Sequence, residues 1–340
     1  MSKVRIGLMG FGRVGRQLYA LALDDPRFEV VAISDVGQPW ILHHLLTKST
    51  GRDGEVRLEG NYLVSEHGRT RLMPADHPNE IPWDVFGVDT VVDATGRFRS
   101  ARELTPHLHN GARRVVLSVL PEDDHIDRIV LYGVNEGDAR AEDQVVSAGS
   151  ASTTAAALTL KTLADAHAVE QASITSVHEY TSDQSLQDYA GPDYRRSRSG
   201  AKNVIPNTTP ARPWVQRALP ELDGRVTGYA LNVPVQIGSM LDVTVAFRDP
   251  EVDPEVVNAL FRAAAEARPA LIQVVSDPIV SSDVKGLATS LLQDQMATMK
   301  AGRHMVKVIG WHETLGHARR ILDVAGLYSD LDDARQQEAS

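Results

Sequence analysis

The sequence predicts a two-domain α/β protein, because its apolar patterns change character near the middle of the chain. In the first half, short apolar runs such as Val4–Met9 and Thr90–Asp93 alternate with helical patterns, as βαβ units do. In the second half, a helix is followed by strands that predict a mostly antiparallel sheet. A length of 340 residues is sufficient for two hydrophobic cores.

Residues 1–150 are predicted to form a doubly wound parallel sheet of the Rossmann type. The apolar runs are typical of strands that helices cover on both faces. A glycine-rich turn and a helix over Arg16–Leu23 follow the first strand. The predicted strands are Val4–Met9, Val30–Ile33, Thr90–Asp93, Arg114–Ser118 and Ile129–Tyr132.

Residues 151–315 are predicted to form the second domain, with helices over Thr154–Ala166 and Glu255–Ala267. The long loop Asp188–Thr209 is rich in Arg, Ser, Gly and Pro, and loops of that length are usually functional. The C-terminal helix, within residues 316–340, is expected to join the first domain, and its polar end Asp330–Ser340 is expected to fray. The predicted strands are Ala172–His178, Val226–Asn232, Leu241–Phe247 and Met305–Gly310.

Composition argues against several classes of protein. A net charge of −10 argues against nucleic acid or an anionic membrane as partner. No apolar run approaches the ~18 residues of a membrane helix, and the early first strand leaves no room for a signal peptide, so we expect a cytoplasmic protein. The absence of cysteine excludes disulfides and thiol nucleophiles, and the scattered histidines predict no metal site.

The segment Gly10–Gly15 has the G-x-G-x-x-G pattern directly between a strand and a helix. Such glycines permit a tight turn and let the backbone approach a pyrophosphate at the helix N-terminus. Asp35 ends the second strand, where a carboxylate accepts from ribose hydroxyls and favours NAD. The alternative is a purely structural turn with an Asp cap. The predicted cofactor-binding residues of this half are Gly10, Phe11, Gly12, Arg13, Val14, Gly15, Asp35, Thr95, Gly96 and Ser118.

Several ordered segments resemble the glyceraldehyde-3-phosphate dehydrogenase family. The resemblance runs through Gly7–Arg16, Ser147–Thr154, Val177–Gln184, the Arg-rich segment Tyr194–Pro206, Pro220–Gly228 and Pro278–Asp283. It implies that family's fold, NAD as the cofactor and a homotetramer.

The family's nucleophilic cysteine is missing. If the segment from Ser147 to His178 is aligned with the family without gaps, the cysteine corresponds to Ala151. If the two threonines that follow the family's cysteine are aligned instead, it corresponds to Ser152. Alanine cannot attack an aldehyde, and a serine ester yields less readily than a thioester. Ordinary phosphorylating activity is therefore not expected.

Other site positions depart from the family too. Asn232 stands where the family has a phosphate-binding Arg, and Glu313 aligns with the Asn that contacts the nicotinamide carboxamide. Pro210 follows Thr209, where a Gly is expected. Arg195, Arg196 and Arg198 are retained, which indicates either an anionic substrate or a solvated or subunit-bridging face. The residues that the resemblance implies for substrate binding are Ser150, Thr181, Asp183, Arg195, Thr209 and Asn232.

His178 is retained, and a histidine in this position can exchange a proton with a hydroxyl or carbonyl oxygen. Two hypotheses follow. One is an NAD-dependent oxidoreductase with non-thioester chemistry, which interconverts an alcohol and a carbonyl. The other is a catalytically silent NAD-binding protein with a sensor or assembly role, in which His178 is inert.

Overall fold

The computed structural model describes residues 3–181, 184–209, 211–249 and 251–339. The chain forms two compact units, one of Met1–Gly149 with Ala318–Ser340 and one of Ser150–His317. The first contains a mostly parallel sheet and the second a mostly antiparallel sheet, so the predicted fold class is confirmed. Within the described residues, no helix is both long and apolar enough to cross a membrane.

The first unit is a doubly wound sheet with helices between its parallel strands. Besides the C-terminal helix, its helices are α1 (Arg13–Leu23), α2 (Pro39–Thr50) and α3 (Ala101–His109). Its strands are β1 (Val4–Met9), β2 (Phe28–Ser34), β3 (Arg57–Glu59), β4 (Tyr62–Ser65), β5 (Gly68–Met73), β6 (Thr90–Asp93), β7 (Arg114–Leu117), β8 (Arg128–Ile129) and β9 (Val145–Ser147). Their order is β3-β4-β5-β2-β1-β6-β7-β9-β8. The order of successive strands reverses between β1 and β6, where open α/β sheets place their ligands.

One strand predicted for this unit needs correction, and several elements of the unit were missed. The strand expected over Ile129–Tyr132 is only β8, because Asn135 accepts a hydrogen bond from the N–H of Leu131 and turns the chain. The antiparallel β3–β5 meander and the helices α2 and α3 were not predicted at all. The strands of that meander are short and partly exposed, so their apolar pattern is weak.

The second unit packs the helix α4 (Ala151–Ala164) against one face of its sheet. The helix is buried along most of its length, which agrees with its run of small and apolar residues. Its strands are β10 (Val169–Glu179), β11 (Ile205–Asn207), β12 (Val226–Val233), β13 (Ser239–Phe247), β14 (Ile272–Val275), β15 (Leu291–Lys300) and β16 (Met305–His312). Two further helices are α5 (Ala211–Ala218) and α6 (Pro254–Ala267). The predicted loop Asp188–Thr209 therefore contains a strand, β11, which pairs with β12.

The C-terminal helix α7 spans Thr314–Ala339, so the prediction that residues 330–340 fray is wrong over the described part. The buried hydroxyl of Tyr328 donates to Asp143 Oδ2 over 2.8 Å. Four residues later, Asp332 Oδ2 lies 3.0 Å from Nη1 of the buried Arg114. These contacts hold the polar end of α7 against the first unit, which its composition alone did not indicate.

Candidate active site

The glycine turn of the first unit has the shape that the motif predicts. Gly10 has φ +89°, and a Cβ there would lie 2.8 Å from the N atom of Thr95. A Cβ on Gly15 would collide with the carbonyl oxygen of Gly10. By contrast, nothing lies within 4 Å of the Cβ positions of Gly12 and Gly96. The turn is therefore tight on its inner side and open beside Gly12.

The start of helix α1 is available to an anion. Its N-cap is Gly12, which provides no side-chain cap, and its first turn contains no acidic residue. Backbone N–H groups at such a terminus bind phosphate. This opening and the open space over Gly12 and Gly96 fit the pyrophosphate of a dinucleotide.

Not every predicted cofactor-binding residue has a side chain that could contact a ligand. Phe11 is buried with its ring 5.8 Å from Tyr19 in an edge-on packing, so only its backbone can approach a ligand. Val14 packs partly against the same core, whereas Arg13 is exposed. Asp35 Oδ2 accepts from the N–H of Phe11 over 2.7 Å and Oδ1 accepts from Gly37 over 2.8 Å. Asp35 thus joins the end of β2 to the glycine turn.

Thr95, Gly96 and Ser118 lie at the carboxyl ends of β6 and β7. Asp93 Oδ1 accepts from both the N–H and the hydroxyl of Thr95, over 2.9 and 2.7 Å. Ser118 is buried, and its N–H donates to the Asp93 carbonyl over 3.0 Å. These residues and the glycine turn are therefore brought together at the reversal of strand order.

In the second unit, the missing cysteine falls at the start of helix α4. Ser150 is the N-cap, and its Oγ accepts from the N–H of Thr153 over 3.2 Å. Ala151 is the first helical residue and Ser152 the second, and both are half-buried. The hydroxyl of Ser150 is therefore occupied in capping the helix.

Ser152 takes part in a short chain of hydrogen bonds. Ser176 Oγ, which lies two residues before His178 on β10, donates to Ser152 Oγ over 3.4 Å. Ser152 Oγ lies 3.3 Å from Nε2 of His312, the last residue of β16. Neither Ser176 nor His312 was predicted from the sequence. The alternation of β10 places Ser176 on the face of His178, a signal that could have identified it.

His178 and His312 lie together, with ring centroids 6.4 Å apart. Nδ1 of His178 lies 2.7 Å from the carbonyl oxygen of Glu179, which can only accept, so Nδ1 carries a proton. In the neutral ring, Nε2 is then an unprotonated acceptor. Burial, reinforced by electrostatic interaction with the neighbouring imidazoles of His178 and His317, lowers the pKa of His312 to about 3, so this ring is neutral.

Asn232 lies opposite His178 on the neighbouring parallel strand β12. Its Nδ2 donates to Oε1 of Gln184 over 3.0 Å, and the same oxygen accepts from the N–H of Thr181 over 3.1 Å. Asn207 Nδ2 lies 3.5 Å from Oδ1 of Asn232. We call Thr181, Gln184, Asn207 and Asn232 the amide cluster. Gln184 and Asn207 were not predicted, because both belong to irregular or short segments whose contacts depend on the fold.

The remaining predicted substrate residues make their bonds elsewhere. Arg195 is exposed, and its N–H donates to Asp193. Arg198 Nε bonds to Asp188 Oδ2 over 2.9 Å, and Thr209 Oγ1 accepts from the N–H of Ala211. These contacts of Arg195 and Arg198 therefore lie within their own loop. Asp183 and Pro210 lie outside the described residues.

Glu313, the predicted carboxamide contact, is buried next to the start of α7. Its Oε1 accepts from the hydroxyl of Thr314 over 2.7 Å. In the described ranges, no group of three or more His, Cys, Asp or Glu residues could hold a metal ion.

Known proteins resemble both units. Residues 4–101 match the model of the glyceraldehyde 3-phosphate dehydrogenase NAD binding domain, and residues 150–314 match that of the C-terminal domain. The chain is 40% identical over 332 residues to a glyceraldehyde-3-phosphate dehydrogenase of Kitasatospora aureofaciens, which covers 95% of this chain and 98% of that protein. It is 37% identical over 330 residues to the enzyme of Geobacillus stearothermophilus, with 95% and 97% covered.

These matches agree with the two-unit architecture and with the glycine turn at the reversal of strand order. NAD is accordingly the cofactor, and the resemblance inferred from the sequence motifs is confirmed. This chain, which contains no cysteine, belongs to the glyceraldehyde-3-phosphate dehydrogenase family.

Proposed function

We propose that this member of the family is an NAD-dependent oxidoreductase that interconverts an alcohol and a carbonyl on a small substrate without a thioester. The observation that carries the proposal is the orientation of His178. Because Nδ1 donates to the Glu179 carbonyl, Nε2 is the atom that can accept a substrate proton. NAD, when bound, supplies the exchange of a hydride.

His178 removes the hydroxyl proton as an alcohol is oxidised and returns it in the reverse direction. Under the alignment without gaps the nucleophile position is Ala151, and no covalent bond to the enzyme then forms. The hydroxyl of Ser152, which lies beside this position, is polarised toward the neutral His312. Ordinary phosphorylating activity is not expected, since loss of a nucleophile can reduce a rate by roughly 10⁶.

The substrate residues that we propose are Ser150, Thr181, Asp183, Arg195, Thr209 and Asn232. Asn232 brings an amide, not a guanidinium, to the strand beside His178. An uncharged amide donates hydrogen bonds to a hydroxyl or carbonyl oxygen. A guanidinium instead binds a phosphate with two charge-assisted hydrogen bonds. An anionic substrate would depend on the loop arginines.

We assign cofactor binding to the first domain, residues 1–150 with the C-terminal helix, and substrate binding to residues 151–315. Asp35 accepts from the adenosine ribose, because each carboxylate oxygen has a lone pair beyond its backbone bond. Glu313 accepts from the nicotinamide carboxamide.

We also propose that the chain forms a homotetramer. Helix α4 covers one face of the sheet in the second unit. The register of the paired strands puts Tyr229, Met299 and Met305 on the other face. Their exposed fractions are 49%, 49% and 41%, respectively. The same face also carries the Asp242–Lys307 ion pair, so it offers both apolar and charged side chains to another protein surface.

The test follows NADH absorbance with a panel of small hydroxy and carbonyl compounds, for the wild type and for His178→Ala. We expect turnover by the wild type and a loss of about 10²–10⁴ in kcat for the variant, while the NAD dissociation constant stays unchanged. His109→Ala, an exposed histidine, is the control and retains full activity. Tight NAD binding without turnover of any compound would instead support the silent NAD-binding protein.

A further inference from the structure

Two buried polar atoms in the first unit face each other just behind the cofactor crevice. Oδ2 of Asp93 and Nε2 of His107 are 3.6 Å apart, and the side chains of both residues are completely buried. Neither atom has a hydrogen-bond partner among the described residues. Buried polar groups are rarely left in this state without a function, because each costs free energy when unpaired.

The orientation of the His107 ring follows from its other nitrogen. The indole Nε1 of Trp83 donates to Nδ1 of His107 over 2.9 Å. An indole N–H can only donate, so Nδ1 is the acceptor and the proton of the neutral ring is on Nε2. That N–H is on the side of Asp93 Oδ2, where its dipole stabilises the buried carboxylate.

Asp93 in turn determines the shape of the crevice. Its other oxygen, Oδ1, accepts from both the N–H and the hydroxyl of Thr95. The Thr95 hydroxyl oxygen also accepts from the N–H of Arg97 over 3.1 Å. The N atom of Thr95 lies close to the Cβ position of Gly10, so a shift of this turn would disturb the glycine turn as well.

We propose that His107 is a positioning residue for the dinucleotide. It does not touch the cofactor; with Trp83, it orients the Asp93 carboxylate, which holds the Thr95–Arg97 turn against the glycine turn. This inference rests only on NAD binding by the first unit and not on the proposed reaction.

The experiment compares NAD dissociation constants, measured by isothermal titration calorimetry, with thermal unfolding midpoints. His107→Leu removes both the acceptor for Trp83 and the donor toward Asp93, and we expect NAD affinity to fall about tenfold. In His107→Gln, the amide keeps an acceptor and a donor at similar spacing, so affinity returns to within about threefold of the wild type. Trp83→Phe is the second variant, and it weakens NAD binding even if His107→Leu does not fold.

Leu104→Ala is the matched control, since Leu104 is buried in the same helix, α3, and contributes no polar contact. It lowers the unfolding midpoint but leaves the NAD dissociation constant within about twofold. The proposal is wrong if His107→Leu and Trp83→Phe both bind NAD as the wild type does. It is equally wrong if Leu104→Ala loses as much NAD affinity as His107→Leu.

Discussion

The Ser152 hydroxyl and the His312 imidazole form a neutral pair at the start of helix α4, with Oγ and Nε2 separated by 3.3 Å. Because Ser176 donates to Ser152, the Ser152 proton is directed to Nε2 of His312. This arrangement requires an unprotonated Nε2, which agrees with the low pKa of the buried ring. The orientation of the Ser152 hydroxyl therefore depends on the protonation state of the buried His312.

Acid should destabilise the protein through His312. Its pKa is about 3 in the folded state and about 6.5 when unfolded, so below pH 6.5 the unfolded state binds the proton first. We expect this group to reduce the free energy of unfolding by about 2 kcal/mol between pH 7 and pH 5. In His312→Gln, urea denaturation should show a drop smaller by that amount. The exposed His109→Gln is the control, and an unchanged drop in His312→Gln would contradict the prediction.

Cysteine placed at either candidate position should identify which one corresponds to the nucleophile. Ala151 is the first residue of α4, where the helix N-terminus lowers the pKa of a thiol. A thiol at position 152 would replace a hydroxyl that is already engaged with His312 and Ser176. We expect Ala151→Cys to react with iodoacetamide about tenfold faster than Ser152→Cys. The opposite order of rates would place the nucleophile position at residue 152.

Asn232→Arg should change the preference between neutral and phosphorylated ligands. The guanidinium would introduce a positive charge into the amide cluster beside His178, where the neutral amide of Asn232 is bonded to that of Gln184. We expect affinity for glycerol 3-phosphate, measured by calorimetry, to rise about tenfold, with no gain for glycerol. Thr208→Arg adds the same charge at a nearby exposed position and should have little effect. An equal gain in both variants would show that the effect is not specific to the cluster.

Tyr328→Phe should destabilise the first unit. Burial and the hydrogen bond to Asp143 raise the pKa of Tyr328, so the phenol remains a proton donor to that carboxylate. Burial alone would raise the pKa of Asp143, but the bonds from Arg128, the Arg140 N–H and Tyr328 lower it overall. Removal of the hydroxyl should reduce the free energy of unfolding by about 2 kcal/mol in urea titrations. Tyr62→Phe on β4 is the control, and a similar loss there would refute the assignment.

Tyr229→Asp should weaken the proposed tetramer. The substitution replaces an exposed aromatic side chain by a charge on the sheet face that also carries Met299 and Met305. Light scattering after size-exclusion chromatography should show a lower mass for this variant than for the wild type. Val85→Asp, a substitution of an exposed valine in the first unit, should leave the mass unchanged. A wild-type monomer would exclude the homotetramer.

The sequence by itself determined the two sheets, the glycine turn at Gly10–Gly15 and the absence of the family's cysteine, because each depends on residues that are close in the chain. Local patterns of apolar residues and glycines specify strands, turns and helix starts within a few residues. The same patterns did not reveal β3–β5, whose strands are short and partly exposed, or the long helical end of α7, which depends on Arg114 and Asp143 far away in the sequence.

Only the tertiary structure decided which polar groups meet. His312 contacts Ser152 across 160 positions, and Gln184 contacts Asn232 across 48. Asp93 and His107 face each other only because α3 packs on β7 and β9, which lie on the same side of β6 in the sheet. Such contacts depend on how the elements pack, and burial then determines their consequence: it keeps His312 neutral, although nothing in the residues around it in the chain indicates that state.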